Sequence, residues 1–430
     1  MRKKAYRATD VKRVDVAAVL AAHPRGDCEA GVDVSKEELQ VSLRFGAREF
    51  ERPWRVKQPQ ELPALVERLR QIQAARGLRV ALEPSGTYGD ALRQALGDAG
   101  LEVRRVSPKA VHDYAEVFDG VPSQHDGKDA AIVAELSAMG KSAPWPWEAA
   151  SEWEQQLAFE VDWMDAQQRT AVMWYGRLEG LLARHWPEVT GAGGEGRLKI
   201  SSATLLMALQ HYGGPAALAA DVPAAQRLAE WSGWQLAPEK IARLIGQAAH
   251  SVGVRQTAVD VERMQRYAGQ AWAARREVQQ SKQKLARLAS GHKILPAQAQ
   301  AVGVATACVL WVHLGDPGNY PCGAAYRKAM GLNLKERSSG QWQGQLKITK
   351  RGQPQVRRWL YFAALRAVRQ PPIRRWYEAQ RRREPSAKRA LVGVMRRLAL
   401  ALHCVAEGEA FQPWRVFPGI RREAQEASMH

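Results

Sequence analysis

The order of elements predicted for residues 28–118 is the feature that most limits the fold. Apolar and alternating runs predict three consecutive strands, at 28–34, 39–45 and 48–56. The segments that follow alternate between helix and strand: a helix at 59–75, a strand at 78–82, a helix at 87–99, a strand at 101–106 and a helix at 108–118. Directly joined strands followed by helix–strand alternation predict a sheet of mixed direction with helices packed on it.

Four carboxylates fall at matched places in this order. Asp33 interrupts an otherwise apolar strand, and Glu83 closes the run Val80-Ala81-Leu82 at the end of the fourth strand. Asp126 and Asp129 are three residues apart at the start of a predicted helix, so both can point the same way. Three strands followed by alternating helices and strands are the element order expected of a ribonuclease-H-like α/β domain. Open α/β sheets place their sites at the carboxyl ends of the strands. Apart from Asp33, which interrupts an apolar strand, each of these acids alone is more simply an ordinary surface residue, but the four together predict one site.

The predicted cofactor of this site is Mg²⁺ or Mn²⁺. Hard oxygen ligands are what Mg²⁺ selects, usually together with water and substrate phosphate oxygens. Two such ions can activate an attacking oxygen and stabilise a leaving oxygen at a phosphodiester. The four carboxylates therefore predict nucleic-acid strand chemistry.

The charge of the chain agrees with a polyanionic partner. There are 63 Lys and Arg against 44 Asp and Glu, which gives a net charge of +19. Residues 341–430 hold 19 basic and 6 acidic residues, so +13 of this charge lies in the last ninety residues. Neutralising phosphates releases counterions, so such clustering favours nucleic-acid binding over a generally basic surface.

Cysteine usage and hydropathy narrow the class further. The four cysteines contain no CxxC pair, which argues against a zinc ribbon and against a disulfide framework. No apolar run reaches the length of a membrane span. We therefore expect a soluble, intracellular protein without a membrane partner.

The rest of the chain reads as mostly helical. Helical spacing covers 151–185 and 201–253, and a long charged helix at 259–288 is typical of a coiled coil. The predicted segments are a basic leader at 1–27, the α/β domain at 28–145, a helical, coiled-coil-like middle at 146–295, a mostly helical domain at 296–410 and a basic tail at 411–430. The fold class is thus α/β plus all-α.

A polar segment at 333–340 predicts a flexible loop with two exposed hydroxyls, Ser338 and Ser339, before Gly340. A serine needs a base or a strong electrostatic setting to act as a nucleophile, so Ser-Ser-Gly alone is more often a turn. Trp342 and Trp359 could stack on bases, although core packing is commoner. The basic residues that follow the loop are predicted to hold nucleic acid: Lys347, Lys350, Arg351, Arg357 and Arg358.

Six motifs give the chain a resemblance to a known family. They are GVDVSK, LEPSGTYG, HDGKDAAIVAEL, VGVATA, YRKAMGLNLKERSSG and KITKRGQPQVRRWLYFAAL. In this order they resemble the DEDD transposases of insertion-sequence family 110, serine recombinases with a RuvC-like domain. The resemblance covers residues 28–145 and 297–405, about half the chain.

This resemblance implies roles for individual residues. Asp33, Glu83, Asp126 and Asp129 match the family's four metal-binding acids, and Ser339 matches the serine that attacks DNA and forms a covalent phosphoserine link. The resemblance also implies DNA partners (element ends and target), a structured guide RNA encoded by the element, and a homo-oligomer, a dimer or a tetramer. A member of this family is expected in the bacterial cytoplasm, associated with the nucleoid.

Two other functions stay open on the sequence. One is a RuvC-like, metal-dependent endonuclease, such as a junction resolvase, that hydrolyses DNA without a covalent step. The other is a non-catalytic DNA- or RNA-binding protein with a degenerate nuclease fold. The full carboxylate set counts against the second, and the Ser338-Ser339-Gly340 segment favours the recombinase over the first.

Overall fold

The computed structural model describes residues 8–121, 125–190, 197–336, 338–339, 342–343, 346–384 and 386–417. The chain divides into two compact units, residues 1–149 and 150–430. The division lies close to the boundary predicted between 145 and 146. The helical middle and the C-terminal helices, predicted as separate segments, lie in one unit.

The first unit is an α/β domain. Its leading residues are part of the domain, because a strand and a helix form within the segment predicted as a leader. The strands are β1 (Thr9–Asp10), β2 (Cys28–Val34), β3 (Glu38–Phe45), β4 (Glu49–Phe50), β5 (Trp54–Lys57), β6 (Leu78–Leu82), β7 (Glu102–Val106) and β8 (Ser142–Pro144), and the helices are α1 (Val16–Ala22), α2 (Leu62–Ala75), α3 (Asp90–Asp98), α4 (Pro108–Asp119) and α5 (Asp126–Ala138).

One mixed sheet organises this unit. Its order is β1-β5-β3-β2-β6-β7-β8, with β4 paired to β3. β2 is antiparallel to β3 and parallel to β6, and β6 is parallel to β7. This is the ribonuclease-H-like order, and the predicted fold class is confirmed. The strand predicted at 48–56 is wrong in detail: it is two short strands, since Pro53 between them has no N–H to donate to a ladder.

The buried faces of the sheet supply the core of the first unit. The alternating residues Leu39, Val41, Leu43 and Phe45 of β3 are all fully buried. They join one cluster with apolar residues of β2, α2 and β6. All four cysteines of the chain are free, as the sequence predicts.

The second unit is mostly helical. The helices are α6 (Glu152–His185), α7 (Ala203–Tyr212), α8 (Pro215–Ala220), α9 (Ala224–Trp231), α10 (Pro238–Ala249), α11 (Ala258–Ser290), α12 (Leu295–Val302), α13 (Val304–Leu314), α14 (Gly323–Ala329), α15 (Pro354–Ala367), α16 (Pro371–Arg383), α17 (Ala387–Ala406) and α18 (Pro413–Val416), and the strands are β9 (Leu334–Lys335), β10 (Ser338–Ser339), β11 (Trp342–Gln343) and β12 (Lys347–Ile348).

Two long helices, α6 and α11, pack along each other in antiparallel directions. Leu157 near the start of α6 shares a core with Leu285 near the end of α11, whereas Leu178 shares another with Met264. Each helix begins with a capping box, at Ser151 and Thr257. Half of the buried positions of α11 are alanines, which lets the helices approach closely although the sequence has few large apolar residues there.

The C-terminal helices surround a second apolar core built on α13, α15 and α17. Trp359 of α15 is 3% exposed and belongs to this core, so it packs instead of stacking on bases. Among the described residues, no single helix has the length and apolar character to span a membrane, while the bent pair formed by Leu295–Val302 and Val304–Asn319 passes by length and composition.

Candidate functional site

Asp33 and Glu83 lie at the same edge of the sheet. β2 and β6 are parallel neighbours, and Val32 pairs with Leu82 in their register. Asp33 follows Val32 within β2, and Glu83 follows Leu82 just after the end of β6. The two acids therefore lie side by side near the carboxyl ends of these strands. Both side chains are partly buried. The β2–β6 pairing is therefore what brings together two acids fifty residues apart.

Helix α5 lies directly on β2, and Gly31 makes this possible. A Cβ atom at Gly31 would stand 2.1 Å from the backbone oxygen of Ala130 and 2.3 Å from the backbone nitrogen of Ala134. Residues two apart in a strand point to the same face, so Asp33 faces the side on which α5 packs. The close approach therefore directs the first turn of α5 toward Asp33.

The first turn of α5 carries Asp126 and Asp129. His125 is the N-cap, and its Nδ1 accepts a hydrogen bond from the backbone N–H of Lys128 at 3.3 Å. The positive end of the helix dipole favours acids in this turn. Asp126 is exposed and Asp129 is partly buried.

The charges of the four carboxylates act on one another. The pKa of Asp33 is raised to about 6, first by burial and then by the negative charges of Asp126, Asp129 and Glu83. The pKa of Glu83 is also raised, first by burial and then by the charge of Asp129. Acids from β2, β6 and α5 therefore share one electrostatic environment.

Asp129 has basic neighbours as well. Its pKa is raised mainly by burial, with a contribution from the charge of Asp126. Nearby His125 and Lys128 act in the opposite direction. These two neighbours favour the ionised form of Asp129, whereas burial favours the protonated form.

Ser338 and Ser339 belong to the second unit, on a β-hairpin arm instead of the predicted loop. β9 pairs with β12 at the base of the arm, and β10 pairs with β11 further out, with Ser339 opposite Trp342. The side chains of both serines and of Trp342, and Gly340 as a whole, lie outside the described part of the structure. Strands of two residues are too short to show a period in the sequence, which is why a loop was predicted.

Two glycines hold the base of this arm. A Cβ atom at Gly331 would stand 1.9 Å from the backbone oxygen of Arg351, and one at Gly352 would stand 2.3 Å from that of Ala329. Both glycines have positive φ, at 71° and 99°. The two ends of the arm thus cross at a backbone-to-backbone contact that no side chain could occupy.

The five predicted nucleic-acid-binding residues fall into two groups. Lys347, Lys350 and Arg351 are exposed near the base of the arm. Arg357 donates to the backbone oxygen of Gly352 at 2.9 Å. Arg358 forms an ion pair with Asp165 of α6.

The comparisons with known proteins cover both parts of the chain. Residues 30–182 match the DEDD IS110 model, described as "Transposase", and residues 297–378 match "Transposase IS116/IS110/IS902 family". Together these ranges span more than half of the 430 residues. The chain belongs to the IS110 family of DEDD transposases. This transposase is also 26% identical over 340 residues to the "Insertion element IS110 uncharacterized 43.6 kDa protein" of Streptomyces coelicolor, which covers 76% of this chain and 81% of that relative.

Two solved structures are similar to part of the transposase. One is Thermus thermophilus RuvC, with 19% identity over 27% of this chain and 99% of that chain, and a TM-score of 0.21. The other is T. thermophilus RuvC in complex with a Holliday junction substrate, with 18% identity over 28% and 99%, and the same TM-score.

Family membership confirms the predicted enzyme class. The protein is a DNA transposase, and DNA is its partner. Nuclease folds of the DEDD class generally use divalent metal ions.

The donor set of the transposase fits a hard divalent cation. All four side chains offer carboxylate oxygens, which suit Mg²⁺ or Mn²⁺. Oδ1 of Asp129 is buried and accepts no hydrogen bond from any described residue. Within the described ranges, no three His, Cys, Asp or Glu side chains stand close enough together to hold one ion as they are placed. The carboxylates are therefore separate charges in a shared environment, and a cation would relieve their repulsion.

These pKa shifts predict that Asp33 destabilises the metal-free transposase near neutral pH. A carboxyl group whose pKa is raised by folding lowers stability as pH rises from its unfolded pKa, near 4, to its folded pKa, about 6 for Asp33. In the presence of EDTA, Asp33→Asn should raise the Tm at pH 7.5 by a few degrees. A gain of 1 kcal/mol in the free energy of unfolding raises the Tm by about 2–4 °C. The gain should be much smaller near pH 4, where Asp33 is protonated in the folded state and about half protonated in the unfolded state.

Calorimetry at pH 4, 5.5 and 7.5 measures this effect. Asp162→Asn is the control, because Asp162 is an exposed acid of α6. Its Tm should follow that of the wild type at every pH. A lower or unchanged Tm for Asp33→Asn at pH 7.5 would mean that Asp33 carries no electrostatic penalty.

The sequence did not identify Lys128 and Asp165 as important residues. Lys128 is fully buried inside the HDGKD motif, where its position between two acids was the one available signal. Asp165 is 3% exposed and accepts hydrogen bonds from Arg358 and from Nε1 of Trp359. It lies 193 residues from Arg358, so no local pattern could indicate the contact.

Proposed function

We propose that this transposase cuts and rejoins DNA strands through a covalent phosphoserine intermediate, with Ser339 as the nucleophile. The observation that supports this most is the position of Ser339 on a hairpin arm within the segment that matches the transposase family. Such an arm can bring a hydroxyl to a phosphate without moving the helical core. Exposed Lys347, Lys350 and Arg351 near its base would attract that phosphate.

The proposed reaction exchanges one phosphodiester for another. The bond from Ser339 Oγ to phosphorus forms while the bond from phosphorus to a sugar oxygen breaks. The serine loses its proton, and the departing sugar oxygen gains one. Rejoining reverses these changes with a different sugar oxygen, so the strands are exchanged without hydrolysis and without an external energy source.

Asp33, Glu83, Asp126 and Asp129 are the proposed ligands of Mg²⁺ or Mn²⁺. When bound, such an ion supplies charge stabilisation at the scissile phosphate. The chain's contribution is the placement of the acids at one sheet edge and the close packing of α5 on Gly31. The raised pKa values of Asp33, Glu83 and Asp129 mean that protons compete with a cation for these carboxylates as the pH falls.

A covalent-trapping assay tests the proposal. Purified transposase is incubated with nicked or intact DNA that carries the element ends, denatured, and separated on a gel. A protein–DNA adduct that disappears with EDTA is the expected result. Metal-dependent cleavage without an adduct would instead favour a RuvC-like nuclease, and DNA binding with neither product would favour a non-catalytic protein.

The finer partners are proposed on the family resemblance. A structured guide RNA encoded by the element would select donor and target DNA, and a dimer or tetramer would assemble on them. Treatment with ribonuclease before the trapping assay should then abolish the adduct, and light scattering gives the number of subunits. Association with the nucleoid in the bacterial cytoplasm stays a prediction.

The exposed basic residues should act through DNA phosphates. Replacing both Lys350 and Arg351 by Ala should weaken DNA binding and reduce the slope of log K against log salt concentration by about 1.8, at roughly 0.9 per phosphate contact. Fluorescence anisotropy at several salt concentrations measures this. Arg266→Ala is the control, since Arg266 is an exposed arginine of α11 whose side chain is 76% exposed. An unchanged slope for the double variant would remove these residues from the DNA contact.

Arg358 should behave differently from this pair. Its guanidinium is bound to Asp165, a carboxylate of which 4% is exposed. Arg358→Ala leaves that buried charge without its main partner, so it should lower the Tm. The slope of log K against log salt concentration for DNA binding should change little.

A further inference from the structure

Lys128 is a fully buried lysine in the first turn of α5. Its side chain has 0% exposure. Nζ donates to Oδ1 of Asp119 at 2.7 Å and to the backbone oxygen of Val121 at 2.6 Å. Oδ1 of Asp119 also accepts from the backbone N–H of Val121 at 3.0 Å. The ammonium group therefore joins the end of α4 and the residues after it to the start of α5.

The position is an unfavourable one for a cation. Removing an ammonium group from water costs several kcal/mol unless the charge is paired. The first turn of a helix is also its positive end, where cations are disfavoured. The ion pair with Asp119 offsets both effects. A buried lysine at this position therefore indicates a structural requirement that an apolar residue would not meet.

The neighbours of Lys128 suggest what the requirement is. Lys128 lies between Asp126 and Asp129, two of the four proposed metal ligands. Its backbone N–H also donates to the cap residue His125. With its side chain fixed to Asp119 and Val121, the turn that carries both acids cannot rotate or fray independently of α4.

We infer that Lys128 is a positioning residue for the metal site, acting through the Asp119–Lys128 clamp. The inference rests on the proposed metal-binding role of the four carboxylates. Lys128 itself contacts neither DNA nor metal in this role: it holds the first turn of α5 so that Asp126 and Asp129 face Asp33. Partners of this kind around metal ligands typically change metal affinity by about 10- to 100-fold when removed.

The same helix offers a matched control. Glu135 of α5 is also buried, with 7% of its side chain exposed, and is bound by Arg44 and by Arg48 Nε, the latter at 3.2 Å. Six residues separate it from Asp129, a rise of about 9 Å along the helix. Both ends of α5 are thus fixed by a buried ion pair, but one pair adjoins the carboxylates and the other does not.

Binding of Mn²⁺ to the full-length transposase tests the inference, with the free-ion EPR signal as the readout. Lys128→Met keeps the length and apolar stem of the side chain and removes the clamp, so its Kd for Mn²⁺ should rise by about 10- to 100-fold. Glu135→Gln should lower the Tm but leave the Kd near that of the wild type. If Lys128→Met folds and binds Mn²⁺ as the wild type does, the inference is overturned and the ion pair is a stabilising contact alone.

Asp119→Asn keeps the test decisive if Lys128→Met folds poorly, and a double variant tests the coupling if Lys128→Met folds. Asp119→Asn keeps an acceptor for Nζ and removes the charge, so it should raise the Kd by a smaller factor. The double variant Lys128→Met/Asp119→Asn should bind no more weakly than Lys128→Met alone, because residues of one clamp are not additive. An unchanged Kd for Asp119→Asn, or additive losses in the double variant, would contradict a shared clamp.

Failure of the underlying metal site gives a different result. If the wild type does not bind Mn²⁺, or if Asp33→Asn binds it equally well, the proposed ligand set is wrong and Lys128 has no metal site to position. If the wild type binds Mn²⁺, Asp33→Asn does not, and Lys128→Met binds it as the wild type does, the metal site is retained. Only the inference about Lys128 is then refuted.

Discussion

Ser339→Ala should abolish covalent attachment of the transposase to DNA, whereas Ser338→Ala should retain a good part of it. Ser339 directly precedes Gly340, whose freedom in φ allows the chain to bring a hydroxyl close to a phosphate. Loss of an attacking side chain lowers kcat by orders of magnitude, on the order of 10⁶ where nucleophile and base act together. The adduct should therefore fall below detection in the trapping gel.

The neighbouring serine is the matched control for this change. Ser338 and Ser339 are consecutive residues of β10, so both substitutions remove one hydroxyl from the same strand. DNA binding should be equal in both variants. Mass spectrometry of the trapped complex decides the assignment, because a phosphonucleotide on Ser338 or on a tyrosine would refute it.

The parts of the fold that the sequence predicts correctly are those with a local period. Ser151–His185 was predicted as a helix, and α6 runs over Glu152–His185 with Ser151 as its cap. The strand containing Asp33 was predicted at 28–34 and is found there, because apolar residues flank the acid on both sides. Local patterns also placed Glu83 at a strand end. Asp33 and Glu83 lie near each other because β2 and β6 pair in parallel, whereas a common metal site for the four acids stays a prediction.

The parts that the sequence does not predict depend on contacts between distant residues. β1 pairs with β5 through two residues of the leader, a signal too short to be seen in the sequence. Burial of Lys128 depends on Asp119, which lies at the end of the preceding helix. Arg357 and Arg358 differ from the exposed basic residues because Arg357 binds the backbone oxygen of Gly352 and Arg358 binds Asp165. Charge alone cannot distinguish an arginine that is held by contacts within the protein from one that is available to DNA.

Asp33→Asn and Asp129→Asn should each abolish strand cleavage and recombination while leaving DNA binding nearly intact. Each removes one charged oxygen donor from a set of four, which weakens cation binding more than the roughly 10- to 100-fold expected from an outer-shell partner. One charge is a small change to a chain that carries +19. Cleavage assays over a range of Mg²⁺ concentrations and anisotropy with the same DNA measure the two effects separately.

Stability measurements separate this loss of activity from misfolding. A substitution that inactivates by unfolding lowers the Tm, but Asp33→Asn should raise the Tm at pH 7.5 in EDTA because it removes a buried, repelled charge. Higher stability and lost activity in one variant are the signature of a site whose charges are kept for function at the expense of the fold. Asp162→Asn, at an exposed position of α6, should change neither property. Wild-type recombination by Asp33→Asn or Asp129→Asn would refute the metal site, because no cation held by these four acids could then be needed for the reaction.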